Sequence, residues 1–312
     1  MKNILTITLN PAIDTRYSFD NFQVGEINRV SQIGKYAGGK GLNVSKVLTK
    51  LKTGVLATGF LGGKTGELIA QKAEKSNIDC RFVLIEGESR VCIAIINTKT
   101  GIITEILESG PSIKQDEKNI FLNTFINLVK DVDVITISGS IPKGLPDDFY
   151  CQLVDESIKL RKKVILDSSG IYLKKAIESG PFLIKPNIEE FEYLTNKQNQ
   201  GFKDLLKNSK FILDKGVKNI LLTLGGDGAL FISKEKRLKL EVPKVTIKNS
   251  VGSGDATLAG FAYGVNSKLS IEDSIKYALA CGTSNAMLEQ TGDIDIDIVE
   301  DLADKIIIKK ID

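Results

Sequence analysis

Histidine and tryptophan are both absent from the 312-residue sequence, and aromatic residues make up only 6% of it. Without histidine there is no Ser-His-Asp triad, no Cys-His protease pair and no HExxH zinc site. Any acid or base must come from Asp, Glu, Lys, Tyr or Cys. The scarcity of aromatics leaves no stacking platform for single-stranded nucleic acid. Cys80, Cys92, Cys151 and Cys281 form no C-x-x-C pair and lie in apolar or helical surroundings. They read as reduced structural thiols. The formal net charge is only +3, and long Lys/Arg blocks are missing. A polyanionic partner, nucleic acid included, is therefore not expected. No apolar run approaches the roughly 18 residues of a membrane span. The opening stretch, Met1 to Ile7, is too short for a signal peptide. These absences together predict a soluble cytoplasmic protein with no membrane partner.

What is present is enough apolar residue, 42% of the chain, for a full core. That suits one large α/β domain or two small ones. Asn3 to Leu9 is β-branched and reads as a strand that stops at Asn10-Pro11. Residues 17–35 look irregular. Ala37-Gly38-Gly39-Lys40-Gly41-Leu42-Asn43 leads into a helix with Val44, Val47, Leu48 and Leu51 on one face. Val55 to Phe60 is a strand, and a helix follows from Thr65 to Ser76. Phe82 to Ile85, Val91 to Ile96 and Ile102 to Leu107 read as a three-stranded meander beside the main sheet. The β-α alternation then resumes. Helices are predicted near 115–130, 148–160, 171–178 and 187–190 onward, with strands at Val132 to Ser138, Lys163 to Asp167 and Phe182 to Lys185. Strand Asn219 to Leu224 precedes a hairpin of Ala229 to Ile232 against Arg237 to Val242. Helices near 255–266, 271–289 and 297–307 finish the chain. No linker, low-complexity segment or internal repeat interrupts it.

The richest stretch is Asn249-Ser250-Val251-Gly252-Ser253-Gly254-Asp255-Ala256-Thr257. A β-like segment, Val242 to Lys248, enters a glycine turn and an apolar helix leaves it. The free N–H groups of Gly252, Ser253 and Gly254 at such a helix start form a nest for an anion such as phosphate. A carboxylate at its rim, Asp255, suits phosphoryl transfer to a hydroxyl whose proton it takes. The same residues are also what a capped helix and a tight turn require. Gly59-Phe60-Leu61-Gly62-Gly63-Lys64-Thr65 imitates a phosphate-binding P-loop. Thr58 stands where that motif needs its first glycine, so the imitation is a decoy. Asn187 and Glu190 lie one helical turn apart. They suit Mg2+ held largely through water, or equally a capping box. Thr223-x-Gly225-x-x-Gly228 leads into a hairpin, which argues against a dinucleotide fingerprint and for a backbone lining beside a nucleotide. Arg90 reads either as an anion ligand or as the partner of a surface acid. Asp14, Ser138, Asp167, Asn187 and Gly225 all fall at ends of predicted strands. In an open parallel sheet, that is where ligands bind.

In their order, Asn10-Pro11-Ala12-Ile13-Asp14, Gly38-Gly39-Lys40-Gly41-x-Asn43, Lys185-Pro186-Asn187-x-x-Glu190, Thr223-x-Gly225-x-x-Gly228 and Gly252-Ser253-Gly254-Asp255 resemble the ribokinase-like carbohydrate kinases of the PfkB type. The resemblance spans nearly the whole chain. It implies a single α/β domain over residues 1–312: a three-layer α/β/α body with a mostly parallel central sheet. A small β-sheet lid, from about 15–36 and 88–108, would mediate a homodimer. The resemblance also implies roles. Asp255 would be the base, with Gly252, Ser253 and Gly254 as the anion hole. Asp14, Gly38, Gly39, Lys40, Asn43 and Ser138 would hold the sugar, and Arg90 with Arg29 its phosphate. Lys185, Asn187, Thr223, Gly225, Gly228 and Asn285 would bind the nucleotide, with Asn187 and Glu190 organising Mg2+. Many relatives have Ala where Ser253 stands, and a nest uses only the backbone there.

Within the family the chain is most similar to the kinases of ketohexose phosphates. MgATP and a phosphorylated ketohexose are the implied partners. Those acting on fructose 1-phosphate usually carry a polar Asn-Val-Lys run after the arginine. Here Cys92-Ile93-Ala94 replaces it, which favours tagatose 6-phosphate over fructose 1-phosphate. A nicotinamide oxidoreductase would need a glycine fingerprint after an early strand, where Asn10-Pro11 stands instead. A sugar sensor without turnover would lack the base or the Mg2+ group, and Asp255, Asn187 and Glu190 are all present.

Overall fold

The computed structural model describes residues 3–199 and 201–311. In chain order the elements are β1 (Ile4–Thr8), β2 (Ala12–Phe19), β3 (Gln32–Gly38), α1 (Lys40–Lys50), β4 (Val55–Gly62), α2 (Gly63–Glu74), β5 (Asp79–Cys80) and β6 (Val83–Ile85). Next come β7 (Arg90–Asn97), β8 (Ile103–Leu107), α3 (Gln115–Lys130), β9 (Val134–Ser138), α4 (Phe149–Lys159), β10 (Lys163–Asp167), α5 (Gly170–Ala176), β11 (Leu183–Ile184) and α6 (Ile188–Thr195). The chain closes with α7 (Phe202–Asp214), β12 (Asn219–Thr223), β13 (Ala229–Ser233), β14 (Arg237–Glu241), α8 (Ser253–Asn266), α9 (Ile271–Met287), α10 (Ile296–Lys305) and β15 (Ile307–Lys310).

The main sheet runs β15-β14-β13-β12-β11-β10-β9-β1-β4-β5, with β6 beside the end of β4. From β4 to β12 its neighbours pair parallel, and β13, β14 and β15 add antiparallel strands at one edge. Alternation along each strand feeds two cores. Ile4, Val134 and Ile165 pack with α1, α8, α9 and α10 on one face. Leu5, Ile7, Ile135, Val164 and Leu166 pack with α3, α4 and α5 on the other. Strands buried on both faces are apolar almost throughout, as a sheet covered by helices requires. The body is the three-layer α/β/α arrangement expected from the motifs. Among the described residues no helix is long and apolar enough to cross a membrane.

A second sheet has the order β3-β2-β7-β8. Three expectations are corrected here. Residues 17–35 are not irregular throughout: β2 and β3 pair antiparallel from Ala12↔Gly38 to Ser18↔Gln32. Gly34 and the polar alternation hid the strand pattern. The meander is a hairpin, because Val83–Ile85 joins β4 of the main sheet instead. Val242 to Lys248 forms no strand. The amphipathic α7 and the edge strand β15 were not anticipated; the last helix was expected to run on to 307.

Register fixes what this second sheet presents. Asp14 lies level with Tyr36 and Cys92, and Cys92 with Leu107. Arg16 lies level with Ala94, and Ala94 with Glu105. Side chains at one level share a face, so this row overhangs the carboxyl ends of the parallel strands.

Candidate active site

A cleft of about 480 Å³ separates the small sheet from the carboxyl ends of the parallel strands. Its wall includes Asp14, Gly39, Lys40, Asn43, Arg90, Lys185, Asn187, Glu190, Thr223, Gly252, Gly254 and Asp255. The scattered motifs therefore meet at one place.

The turn into α8 is built to stay open. Gly252 caps the helix at φ +84°, a conformation that favours glycine. A Cβ there would come within 2.6 Å of Thr291. Asn249 accepts from Val251 N at 3.0 Å and donates to the Glu289 carbonyl at 3.0 Å. Asn285 donates to the Val251 carbonyl at 3.0 Å and to Ser253 Oγ at 3.2 Å, and accepts from Gly292 N at 2.9 Å. Ser253 N donates to the Ser250 carbonyl at 3.2 Å, so one of the three expected nest donors is engaged in the turn. No side chain caps α8.

Asp255 is buried and caps no N–H of its own helix start. Its Oδ2 accepts from Asn43 Nδ2 at 2.9 Å. Burial pushes its carboxyl up to about 6, and the charge of Asp167 adds to the rise. Lys40, the Asn43 amide and Lys185 restrain it. The result is a carboxyl group able to exchange its proton near neutral pH.

Asp167 is also buried. It pairs with Lys185 at 3.0 Å and Lys40 at 3.3 Å. Burial raises its carboxyl, but the two lysines outweigh burial and hold it below the ordinary value. Lys40 is pushed well up by the same partner, against burial. A Cβ on Gly254 would lie 3.2 Å from Lys185 Nζ. The glycine thus lets a cation stand against the helix start.

Asp14 feels Lys46 of α1 and Arg90 of the neighbouring strand β7. Burial raises its carboxyl, Lys46 and Arg90 lower it, and Glu105 raises it further. Gly38 makes room for it, since a Cβ there would sit 2.1 Å from Asp14 Oδ2. Arg90 donates Nε to the Asn10 carbonyl and Nη1 to the Glu108 carbonyl, both at 3.1 Å. These bonds fix the guanidinium on the cleft wall.

Asn187 and Glu190 form a reciprocal cap at the start of α6. Asn187 Oδ1 accepts from Glu190 N at 2.8 Å, and Glu190 Oε2 accepts from Asn187 N at 3.0 Å. Among the described residues no three His, Cys, Asp or Glu side chains cluster to hold a metal ion. The hard oxygens of this pair nevertheless line the cleft, which fits Mg2+ carried mainly by water and phosphate.

Several predicted residues are not brought to the cleft. Asn285 is fully buried, and its amide holds the turn before α8 together with Gly292. Its side chain supports the turn before α8 and does not line the cleft. Ser138 is buried behind Asp167, its register neighbour, and its Oγ has no hydrogen-bond partner among the described residues. Arg29 is exposed in the loop between β2 and β3, outside the cleft wall. Gly38, Ser253, Gly225 and Gly228 also lie off that wall; Gly228 packs so closely that a Cβ would be 1.9 Å from the Leu240 carbonyl. Conversely, Lys46, Arg16 and Tyr36, which carry no signal in the sequence, line the cleft, as does Asn249, to which the motif gives no role. In the sequence, Asp167 shows only as a strand end. The P-loop imitation is closed: Glu88 Oε1 accepts from Thr65 N at 2.6 Å.

Residues 6–297 match the model of the pfkB family carbohydrate kinases. The chain is 41% identical over 302 residues to the tagatose-6-phosphate kinase of Staphylococcus epidermidis, covering 96% of this chain and 97% of that protein. A solved structure from Thermotoga maritima, described as a possible 1-phosphofructokinase, is 27% identical with a TM-score of 0.89, over 99% of both chains. Phosphofructokinase-2 of Escherichia coli in complex with fructose 6-phosphate shares the fold at TM-score 0.89 and 24% identity, over 98% of this chain and 99% of that one. With nearly its whole length matched, the chain belongs to the pfkB family of carbohydrate kinases.

Proposed function

We propose that this chain transfers the γ-phosphoryl group of ATP to the C1 hydroxyl of tagatose 6-phosphate, giving the 1,6-bisphosphate and ADP. The observation that carries the reading is Asp255. It is a buried carboxylate raised to about 6, hydrogen-bonded to Asn43, in the first turn of a helix whose N–H groups no side chain caps. Asp255 takes the hydroxyl proton as the oxygen attacks phosphorus and the bond to the ADP oxygen breaks. The start of α8 stabilises the charge on the moving group. Lys185 and Lys40 supply positive charge, with Asp167 holding both in place. Asp14 and Asn43 take sugar hydroxyls, and the outer face of Arg90 takes the phosphate already on the sugar. Thr223 borders the nucleotide. Asn187 and Glu190 would hold Mg2+, which when bound neutralises phosphate charge.

The choice of sugar is supported by the 41% identical tagatose-6-phosphate kinase and by the cleft wall. Cys92 and its register partner Leu107 are the apolar lining residues next to Arg90. No amide or ammonium of β7 stands there to favour fructose 1-phosphate. Some turnover of fructose 6-phosphate is expected, because it differs from tagatose 6-phosphate only at C4. The test is kcat/KM for the three ketose phosphates with MgATP. A tenfold or larger preference for fructose 1-phosphate overturns the sugar and leaves the kinase standing.

The small sheet acts in this reading as a lid and as the interface of a homodimer. Ile33 and Ile106 on it are 63% and 51% exposed, and Ile27 in its loop is 85% exposed. Apolar exposure of this kind marks an association surface. Sedimentation that shows a monomer at micromolar concentration would remove the dimer.

A further inference from the structure

Lys46 follows Asn43 by one turn on the same face of α1. Its Nζ lies 3.4 Å from Asn43 Oδ1. At the other end of the amide, Asn43 Nδ2 donates to Asp255 Oδ2 at 2.9 Å. An ammonium can only donate and a carboxylate can only accept. The two neighbours therefore decide together which end of the amide faces the base. Gly292 closes a third side: a Cβ there would lie 3.2 Å from Asn43 Oδ1. The Gly292 N–H is itself held by Asn285. An amide boxed in this way has little freedom to rotate.

We propose that Lys46 is a positioning residue for phosphoryl transfer, aiming the Asn43 amide at Asp255 and favouring the ionised form of that base by its charge. This rests on the kinase reading given above. Lys46 contacts no reacting atom in it and acts through Asn43.

The charges around the pair support the assignment. Lys46 faces Asp14 from β2, Asp255 from α8 and Asp293 beyond α9. Lys50 draws on Asp293 as well, at 3.1 Å. Lys50 and Lys75 flank Lys46 in the groove that adjoins the cleft. Asp255 in turn faces Asp167 from β10, Lys40 from α1 and Lys185 from beyond β11. Lys40 and Lys185 are both committed to Asp167. Lys46 is the cation on the Asn43 side of the base. Burial lowers the proton affinity of its ammonium, and the three carboxylates oppose that.

The experiment compares pH profiles of kcat for the wild type, Lys46→Met and Lys46→Arg, with MgATP and tagatose 6-phosphate. Lys46→Met is expected to cut kcat roughly tenfold at pH 6.5 with little change in the KM for ATP. It should also move the acidic limb upward by about half a pH unit or more, because the base loses a stabilising cation and an aimed donor. Lys46→Arg should restore both. A merely structural lysine would lower Tm and leave the limb unmoved. An unmoved limb in an active Lys46→Met, or an arginine variant no better than methionine, overturns the assignment while the kinase reading stands. A wild type without turnover on any ketose phosphate overturns both. If Lys46→Met does not fold, Lys46→Gln serves: it keeps a donor for Asn43 without the charge, and the limb must still rise.

Discussion

Asp167 and Asp255 are buried carboxylates on the same cleft with opposite proton affinities. Asp167 holds Lys185 at 3.0 Å and Lys40 at 3.3 Å, whereas Asp255 has the Asn43 amide at 2.9 Å. Burial raises both acids. Two cations reverse the effect for Asp167, and the charge thus preserved on Asp167 helps raise Asp255 to about 6. One carboxylate is a fixed counter-ion, and the other is free to exchange a proton at neutral pH.

Asp255→Asn should lower kcat by roughly 10²-fold or more, the usual scale for a positioned base. Nucleotide binding, followed by equilibrium titration, should stay near wild type. Turnover close to wild type in this variant would take the base role away from Asp255.

The same substitution should also change stability, with a sign set by linkage. The folded-state pKa of Asp255 is raised above its ordinary value of 3.8 to about 6. The native state therefore holds that proton more tightly than the unfolded chain. The corresponding stabilisation is complete at low pH and is lost as pH rises through about 6. Asn removes the buried charge, so Asp255→Asn should stabilise the protein at pH 8 by on the order of 2–3 kcal/mol. At pH 4 the gain should be small. Urea melts at both values check it, and wild-type kcat should climb as pH rises through the same window.

Arg90→Ala should cost a phosphorylated ketose far more than the free ketose. Each charged hydrogen bond to phosphate is worth roughly 1.5–3 kcal/mol, or about 10- to 150-fold in kcat/KM. Arg90 also ties the Asn10 and Glu108 carbonyls together. Equal losses on both sugars would mean that this tie is its whole contribution.

Glu190→Gln should raise the Mg2+ concentration needed for half-maximal rate several-fold while changing stability by less than about 1 kcal/mol, since glutamine can still accept from Asn187 N. An unchanged Mg2+ titration with a lower Tm would leave Glu190 as a cap alone.

Much of the site was legible because its parts are local. Gly252, Gly254 and Asp255 are neighbours in sequence, and the strand end before Asn187 is marked by Pro186; Asp14, expected at a strand end, lies instead inside β2 of the small sheet, because the chain resumes as a strand at Ala12 directly after Pro11. What was hidden depends on distant segments. Asp167 becomes a counter-ion only once β10 brings it beside Lys185 and Lys40. Nothing in the sequence around Lys46 announces Asp14, Asp255 and Asp293, which the fold brings to it from three distant segments. Asn285 shows the reverse: its order in the chain suited a ligand contact, but its amide is used up on Val251, Ser253 and Gly292. The pairing of β2 with β3 is obscured because Gly34 and Lys35 dilute a period-two pattern.

The plugged start of α2 has a bearing on inhibition. Both α2 and α8 open on glycine turns, but α2 carries its own anion. Glu88 donates no proton there; it accepts from Thr65 N at 2.6 Å and occupies the space a Cβ on Gly63 would need. Sulfate or inorganic phosphate in solution would have to evict a tethered carboxylate from α2, whereas at α8 it meets no side-chain cap. Of these two helix starts, the simple oxyanion titrates one. Its binding should show a stoichiometry of one per chain for the pair, and its inhibition should track occupancy of the transferred group's own seat.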